Sequence, residues 1–291
     1  MTVTADTIKN AGGDLIQDHY TSHSVASYEK SLFYSQPDYV NFVRDKVRHV
    51  FGITEDTSSA DETDRPTLLD VGGGTGTFTK TVMGENACKG IILEPFLPEN
   101  TDCSIGGDLV LVRDGVEVFL NKADDGWRKS FDMVLVKEAV HHFDPKQRKD
   151  IFEGILANLV ENGSSSTKPN MLIITRPQYD FDYPLWEEAS RVWAANQPPV
   201  KEIADDLTLA GFNDVEHKTV PYPCNIVLED WLDMIKSRMW STFSHFSDEE
   251  LRIACDQIRD GFREDVGGVS MVPEYVQFEE RLIFITARSG A

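Results

Sequence analysis

No apolar run in the 291 residues approaches the roughly twenty needed to cross a bilayer, so no membrane-spanning helix is expected. Residues 1–17 (MTVTADTIKNAGGDLIQ) lack both a basic start and an apolar stretch, which argues against a secretory signal. They also carry acids and little arginine, unlike a mitochondrial presequence. Cysteine is scarce: Cys88, Cys103, Cys224 and Cys255 stand far apart with no C-x-x-C pair, a pattern that fits neither a zinc ribbon nor a disulfide framework. Reduced thiols and a cytoplasmic protein are expected. Basic residues are few as well, 28 against 49 acids, for a formal net charge of −21. Such a surface repels phosphate backbones and anionic lipid, so neither nucleic acid nor a membrane is an expected partner. The acids are scattered rather than blocked into a tail, as in a highly soluble or salt-adapted protein.

What is present is ordinary globular material, 41% hydrophobic and 10% aromatic. A chain of this length forms one large domain, or a domain with a cap, and buries roughly 75% of its extended surface. Residues 54–66 (TEDTSSADETDRP) and 161–170 (ENGSSSTKPN) read as solvated connections. Between and after them, strands alternate with helices. Strands are expected at 67–71 (TLLDV), 90–94, 108–113, 131–136 and 171–175, as short apolar runs of the kind buried in parallel sheets. Helices are expected at 77–83, 145–160, 201–210, 228–239 and 247–262, the last opened by Ser247 with Glu250 three residues on. Residues 25–50 form a helical lead-in broken near Pro37, while 215–220 and 277–287 supply later strands. This alternation argues for a doubly wound α/β sheet.

The informative stretch is residues 68–78, LLDVGGGTGTF. A strand running straight into glycines lets a ligand approach bare backbone, and a following helix start offers donors. Either a pyrophosphate or an amino-acid carboxylate suits such a turn. A dinucleotide fingerprint needs G-x-G-x-x-G, and every frame fails: from Gly72 the last position is Thr77, from Gly74 it is Thr79, and from Gly73 the second is Thr75. What stands here is Gly72-x-Gly74-x-Gly76, preceded by Asp70. Glu94 ends the second strand about twenty residues beyond the loop, where a carboxylate can accept from both hydroxyls of a ribose.

These residues resemble the first motif of the class I S-adenosylmethionine-dependent methyltransferases, of the small-molecule type. The resemblance implies a mostly parallel seven-stranded sheet with an antiparallel last strand inserted beside the fifth, plus a helical lid. It divides the chain into an N-terminal helical lid segment (1–53), a loop (54–66), a Rossmann-like core (67–223 and 271–291) and a helical lid insertion (224–270). It further implies S-adenosyl-L-methionine as cofactor and S-adenosyl-L-homocysteine as product. Cofactor contacts carried over are Asp70, Gly72, Gly74, Gly76, Glu94, Asp114, Gly115 and Lys137; Asp108 competes with Asp114 if the third strand is shifted. The segment 131–143, FDMVLVKEAVHHF, is similar to one common among small-molecule methyltransferases, and aligns His142 with a recurrent histidine beside His141. That pair serves as general base or substrate anchor, or else simply packs against the next helix.

For the substrate, aromatic and basic residues outside the core offer Tyr20, Tyr28, Arg176, Trp186 and Arg238. The arginines suit a substrate carboxylate or, equally, salt bridges to neighbouring acids. Amino-adenine methyltransferases carry Pro-Pro-aromatic after the fourth strand, where this chain has Glu138-Ala139-Val140, and the Pro-Cys of cytosine methyltransferases is absent. The expectation is therefore methyl transfer to an N, O or S nucleophile of a small metabolite. Three alternatives stay open: a protein side chain as acceptor, a nicotinamide-dependent oxidoreductase, and a non-catalytic partner subunit. No metal site is expected.

Overall fold

The computed structural model describes residues 19, 32–53, 65–83, 88–97, 109–122, 130–160, 168–266 and 269–290. Helix α1 (Pro37–Phe51) leads into β1 (Thr67–Val71), α2 (Thr77–Met83), β2 (Lys89–Leu93), β3 (Leu109–Val112), α3 (Val116–Asn121) and β4 (Met133–Lys137). Then follow α4 (Arg148–Asn158), β5 (Met171–Thr175), α5 (Glu187–Asn196), α6 (Val200–Leu209), β6 (Asn213–Val227), α7 (Leu228–Lys236) and α8 (Asp248–Gly261). A hairpin of β7 (Glu264–Val266) and β8 (Val269–Met271) precedes the last strand, β9 (Tyr275–Arg288). Among the described residues no helix is long and apolar enough to cross a membrane.

Seven strands form one sheet in the order β3-β2-β1-β4-β5-β9-β6. The first five are parallel, and β9 runs antiparallel to β5 with Ile173 opposite Ile285. The sheet is thus the one the resemblance implies, down to the antiparallel strand beside the fifth. Every residue of β1 and β5 is buried, as befits strands covered on both faces. Leu69 and Val71 join Val116, Ile151, Phe152, Ile203 and Leu207 in one cluster under α3, α4 and α6. On the opposite face of β1, Asp70 meets Thr79 of α2. The alternation of side chains along a strand therefore sends the cofactor-motif aspartate to one face and the largest apolar cluster to the other.

The chain divides into two compact units. One, the core unit, comprises Val40–Arg176, Pro199–Val220 and Leu282–Ala291. Within it the buried Arg148 of α4 bonds Asp206 of α6 at 2.6 Å, an ion pair between neighbouring helices. The second unit comprises Met1–Tyr39, Pro177–Pro198 and Pro221–Arg281. Its interior is aromatic: Tyr183 lies 5.0 Å from Trp240, 5.3 Å from Trp193 and 5.7 Å from Phe278, centroid to centroid. Three of the unit's aromatic residues have bonded polar ends, Tyr183 to the Glu280 carboxylate at 2.6 Å, and Trp231 and Trp193 to the carbonyls of Pro184 and Pro177.

Several elements differ from the sequence reading for local reasons. Helix α4 starts only at Arg148 because Asp144 closes a turn over 145–147, accepting the Lys146 and Gln147 amides. It ends at Asn158 because Leu159 pairs with Phe131 as an isolated bridge. Strand β6 runs on through Pro221 and Pro223, which an edge strand tolerates. Helix α1 begins at Pro37, a residue suited to a first helical turn, while residues 25–31 of the expected lead-in lie outside the described set.

Two substitutions test these local constraints. A side chain at Gly90 would collide with the Leu68 carbonyl on the neighbouring strand, so Gly90→Ala should cost about 1–3 kcal/mol, read as a lower urea midpoint. Ser247 accepts the Glu250 amide while Glu250 reaches back to the Ser247 amide, a complete capping box. Ser247→Ala should cost about 1 kcal/mol in the same measurement, and no change would show that the cap does not stabilise α8.

Candidate cofactor site

The order of strands reverses at β1: the chain goes from β1 outward to β2 and β3, then returns to β4 on the other side. In open α/β sheets the crevice at such a switch point, at the carboxyl ends of the strands, is where ligands bind. Residues 72–76 leave β1 there. Gly72 has φ 72°, and its missing side chain leaves room for Ala139, whose Cβ would stand only 2.5 Å from a Gly72 Cβ. The backbones leaving β1 and β4 thus approach as closely as a methyl group permits, and only glycine meets both demands at position 72.

The loop is tied to the exit of β2. Gly72 and Gly73 donate to the Leu93 carbonyl at 2.8 and 3.2 Å, and Gly76 donates to the Gly73 carbonyl at 3.0 Å. The buried Glu94 carboxylate accepts the Gly74 amide on Oε2 at 3.2 Å and the Phe96 amide on Oε1 at 3.1 Å. A carboxylate oxygen can accept more than one hydrogen bond, the chemistry that a ribose diol requires. Beneath the loop, the Asp70 carboxylate accepts the Thr79 hydroxyl and fills the space that a Gly73 side chain would need. Asp70 is buried and links the end of β1 to α2.

Beside the loop, the tips of β4 and β5 carry a compact group of charges. Glu138 follows Lys137 directly, with φ 56°, a left-handed conformation that costs a residue with a side chain about 1–2 kcal/mol. Its amide donates to the Ile174 carbonyl at 2.7 Å, and its carboxylate takes Lys137 Nζ at 2.9 Å and the Arg176 guanidinium. Burial pushes this carboxyl up, but the Arg176 and Lys137 charges and hydrogen bonds outweigh it and hold it down at about 2. Lys137 also lies 4.9 Å from the Phe78 ring at the start of α2. The chain then makes a 3-10 turn over Val140–His142, in which the His141 and His142 rings lie 4.0 Å apart. Desolvation, helped by Arg176 and opposed by Glu138, pushes His141 down to about 4, so its ring is neutral near pH 7.

The remaining expected residues stand as follows. Asp114 lies after β3 in an ion pair with Lys122 at 2.6 Å, and Gly115 caps α3. In the second unit, Trp186 stacks on Phe243 and Arg238 bonds the Phe246 carbonyl at 2.9 Å and the Asp248 carboxylate at 2.6 Å. Tyr20, Tyr28 and Asp108 lie outside the described residues. The structure therefore brings Asp70, the glycines, Glu94, Lys137, His141, His142 and Arg176 to neighbouring strand ends of the core unit, while Trp186 and Arg238 belong to the other unit. Sequence reasoning missed Thr79 and Glu138. Helical spacing after the glycines places Thr79 over the strand, but nothing in K-E-A-V-H-H announces a left-handed turn.

The depressed Glu138 value has a pH consequence. Since folding lowers it from 4.5 to about 2, its pairing stabilises the fold fully above pH 4.5, and that contribution is lost as pH falls toward 2. The difference in unfolding free energy between the wild type and Glu138→Gln should narrow over that interval in urea titrations. A pH-independent difference would show that the carboxylate is not the stabilising form.

No family model matches the chain, and no curated protein matches it in sequence. Solved structures do. A protein from Anabaena variabilis ATCC 29413, described as a methyltransferase from an antibiotic biosynthesis pathway, superposes with a TM-score of 0.51 at 12% identity, over 83% of this chain and 95% of that one. A SAM-dependent methyltransferase from Archaeoglobus fulgidus matches over 86% of this chain and 94% of that one at 14% identity, with a TM-score of 0.46. With its strand order, its antiparallel β9 and its glycine loop at the switch point, the chain has the class I, Rossmann-like methyltransferase fold.

Proposed function

We propose that the protein is an S-adenosylmethionine-dependent methyltransferase acting on an N, O or S nucleophile of a small metabolite. The observation that carries this reading is where the loop amides point. Those of Gly72, Gly73, Gly74 and Gly76 are all engaged within the fold. A pyrophosphate needs such amides turned toward it, so a nicotinamide dinucleotide is a poor fit. A cofactor with a cationic centre, a ribose and an uncharged base is a better one, because the carboxylates of Asp70 and Glu94 lie at these strand ends, Glu138 being paired with Lys137 and Arg176.

When bound, S-adenosylmethionine would supply a methyl group already activated by its sulfonium. Glu94 would hold the ribose diol, the bare backbone of 72–76 would admit the amino-acid portion, and Asp114 with Gly115 would flank the base. An amine or hydroxyl acceptor must shed a proton. His141 is neutral and able to accept one, though a group held near 4 is a weak base, and His142 beside it is the alternative. A thiolate acceptor would need neither. Alignment of the acceptor and exclusion of water would be the protein's main contribution, and residues 1–53 and 224–270 are assigned to it. The acidic surface and the absence of nucleic-acid motifs favour a small acceptor over nucleic acid.

Calorimetric titration with S-adenosylmethionine and, separately, NADH tests the reading. Micromolar binding of the former alone is expected; binding of NADH alone would overturn it. Glu94→Ala should weaken cofactor binding by about 1–3 kcal/mol, whereas unchanged affinity would remove Glu94 from the site. Once an acceptor is found, His142→Ala should lower turnover about 10²–10⁴-fold if His142 is the base, and wild-type turnover across pH would make it structural.

A further inference from the structure

Among the described residues at the strand ends, Glu138 is one whose backbone, burial and charge all act against it unless something compensates. Its φ of 56° is unfavourable for a residue with a side chain, and its carboxylate is removed from water. What compensates is local: Lys137 from the same strand tip and Arg176 from the tip of β5 both close on the carboxylate, and the Glu138 amide bonds Ile174 of β5. The bend has two consequences. It brings the next residue, Ala139, against Gly72 of the cofactor loop, and it starts the turn that carries His141 and His142. Without the bend, β4 would continue straight past the loop.

We propose that Glu138 is the positioning residue of this site: its ion pairs with Lys137 and Arg176 hold a left-handed bend at the end of β4 that fixes the glycine loop and the histidine pair relative to each other. The role is indirect, through Ala139 on one side and the 3-10 turn on the other. Neither an isolated carboxylate nor a glycine at 138 does the same work. A glycine would relieve the backbone but leave Lys137 and Arg176 without their shared anchor, and a glutamine would keep the shape but lose the charge that both cations require. In naming its ligand this inference rests on the methyltransferase reading; in its geometry it does not.

Binding of S-adenosylhomocysteine to the wild type, Glu138→Gln and Glu138→Gly, each checked for a cooperative melt, tests the proposal. Both variants should bind at least tenfold more weakly than the wild type, with Glu138→Gly no better than Glu138→Gln. Wild-type affinity in either would overturn it. A second readout needs no cofactor: the backbone amide resonances of Gly72 and Ala139 should move in Glu138→Gln while the indole resonance of Trp231, in the other unit, stays in place. Unmoved Gly72 and Ala139 amides would also overturn the proposal. If the wild type fails to bind S-adenosylhomocysteine, the methyltransferase reading falls and the amide shifts alone decide this one. Should neither Glu138 variant fold, Arg176→Lys, which keeps the charge but loses the planar fork, should move the same two amides, and unmoved amides would count against the proposal.

Discussion

A carboxylate that accepts backbone amides from two different turns fixes the distance between them, and Glu94 does this in the core unit. One oxygen holds Gly74 of the loop after β1, and the other holds Phe96 of the turn after β2. Much of the site follows from that bridge. With the loop drawn toward β2, Gly72 and Gly73 reach the Leu93 carbonyl, and Asp70 lies under Gly73 with Thr79 as its donor. On the other side, Gly72 comes within a methyl group of Ala139. The same carboxylate is therefore a structural clamp in its own right.

Electrostatics reinforces this arrangement. The chain carries a formal charge of −21, and the buried acids among the described residues have partners. Glu94 is satisfied by amides, Asp70 by a hydroxyl, Glu138 by two cations, and Glu280 of the second unit by Tyr183. Burial of a carboxylate is tolerated only with such partners. Asp70 and Glu94, at the carboxyl ends of β1 and β2, suit the cationic centre of the proposed cofactor, whereas a phosphate would meet amides already engaged in the fold.

The parts of this structure that were legible in the sequence are those where one residue type answers one physical demand. Short apolar runs marked β1, β2, β4 and β5, with glycine ending the first of them, and Ser247 with Glu250 marked the start of α8. The alternating Gly72, Gly74 and Gly76 marked a backbone that side chains could not follow. Where demands are set by distant residues, the sequence was silent. Helix α3 is only six residues long and is capped by Gly115 without a side-chain bond, so it leaves little periodic signal. Helix α5 opens at Trp186, again without a side-chain cap. The bend at Glu138 depends on Arg176, 38 residues away, and such a pairing cannot be read from either neighbourhood alone.

The central claim is that the loop at 72–76, clamped by Glu94, is built around S-adenosylmethionine. A crystal structure of the protein grown with S-adenosylhomocysteine tests it most directly. The account predicts the ribose hydroxyls on Glu94 and the amino-acid end of the ligand alongside Gly72–Gly76. Ligand density away from Glu94, or a pyrophosphate-containing cofactor in its place, would contradict it.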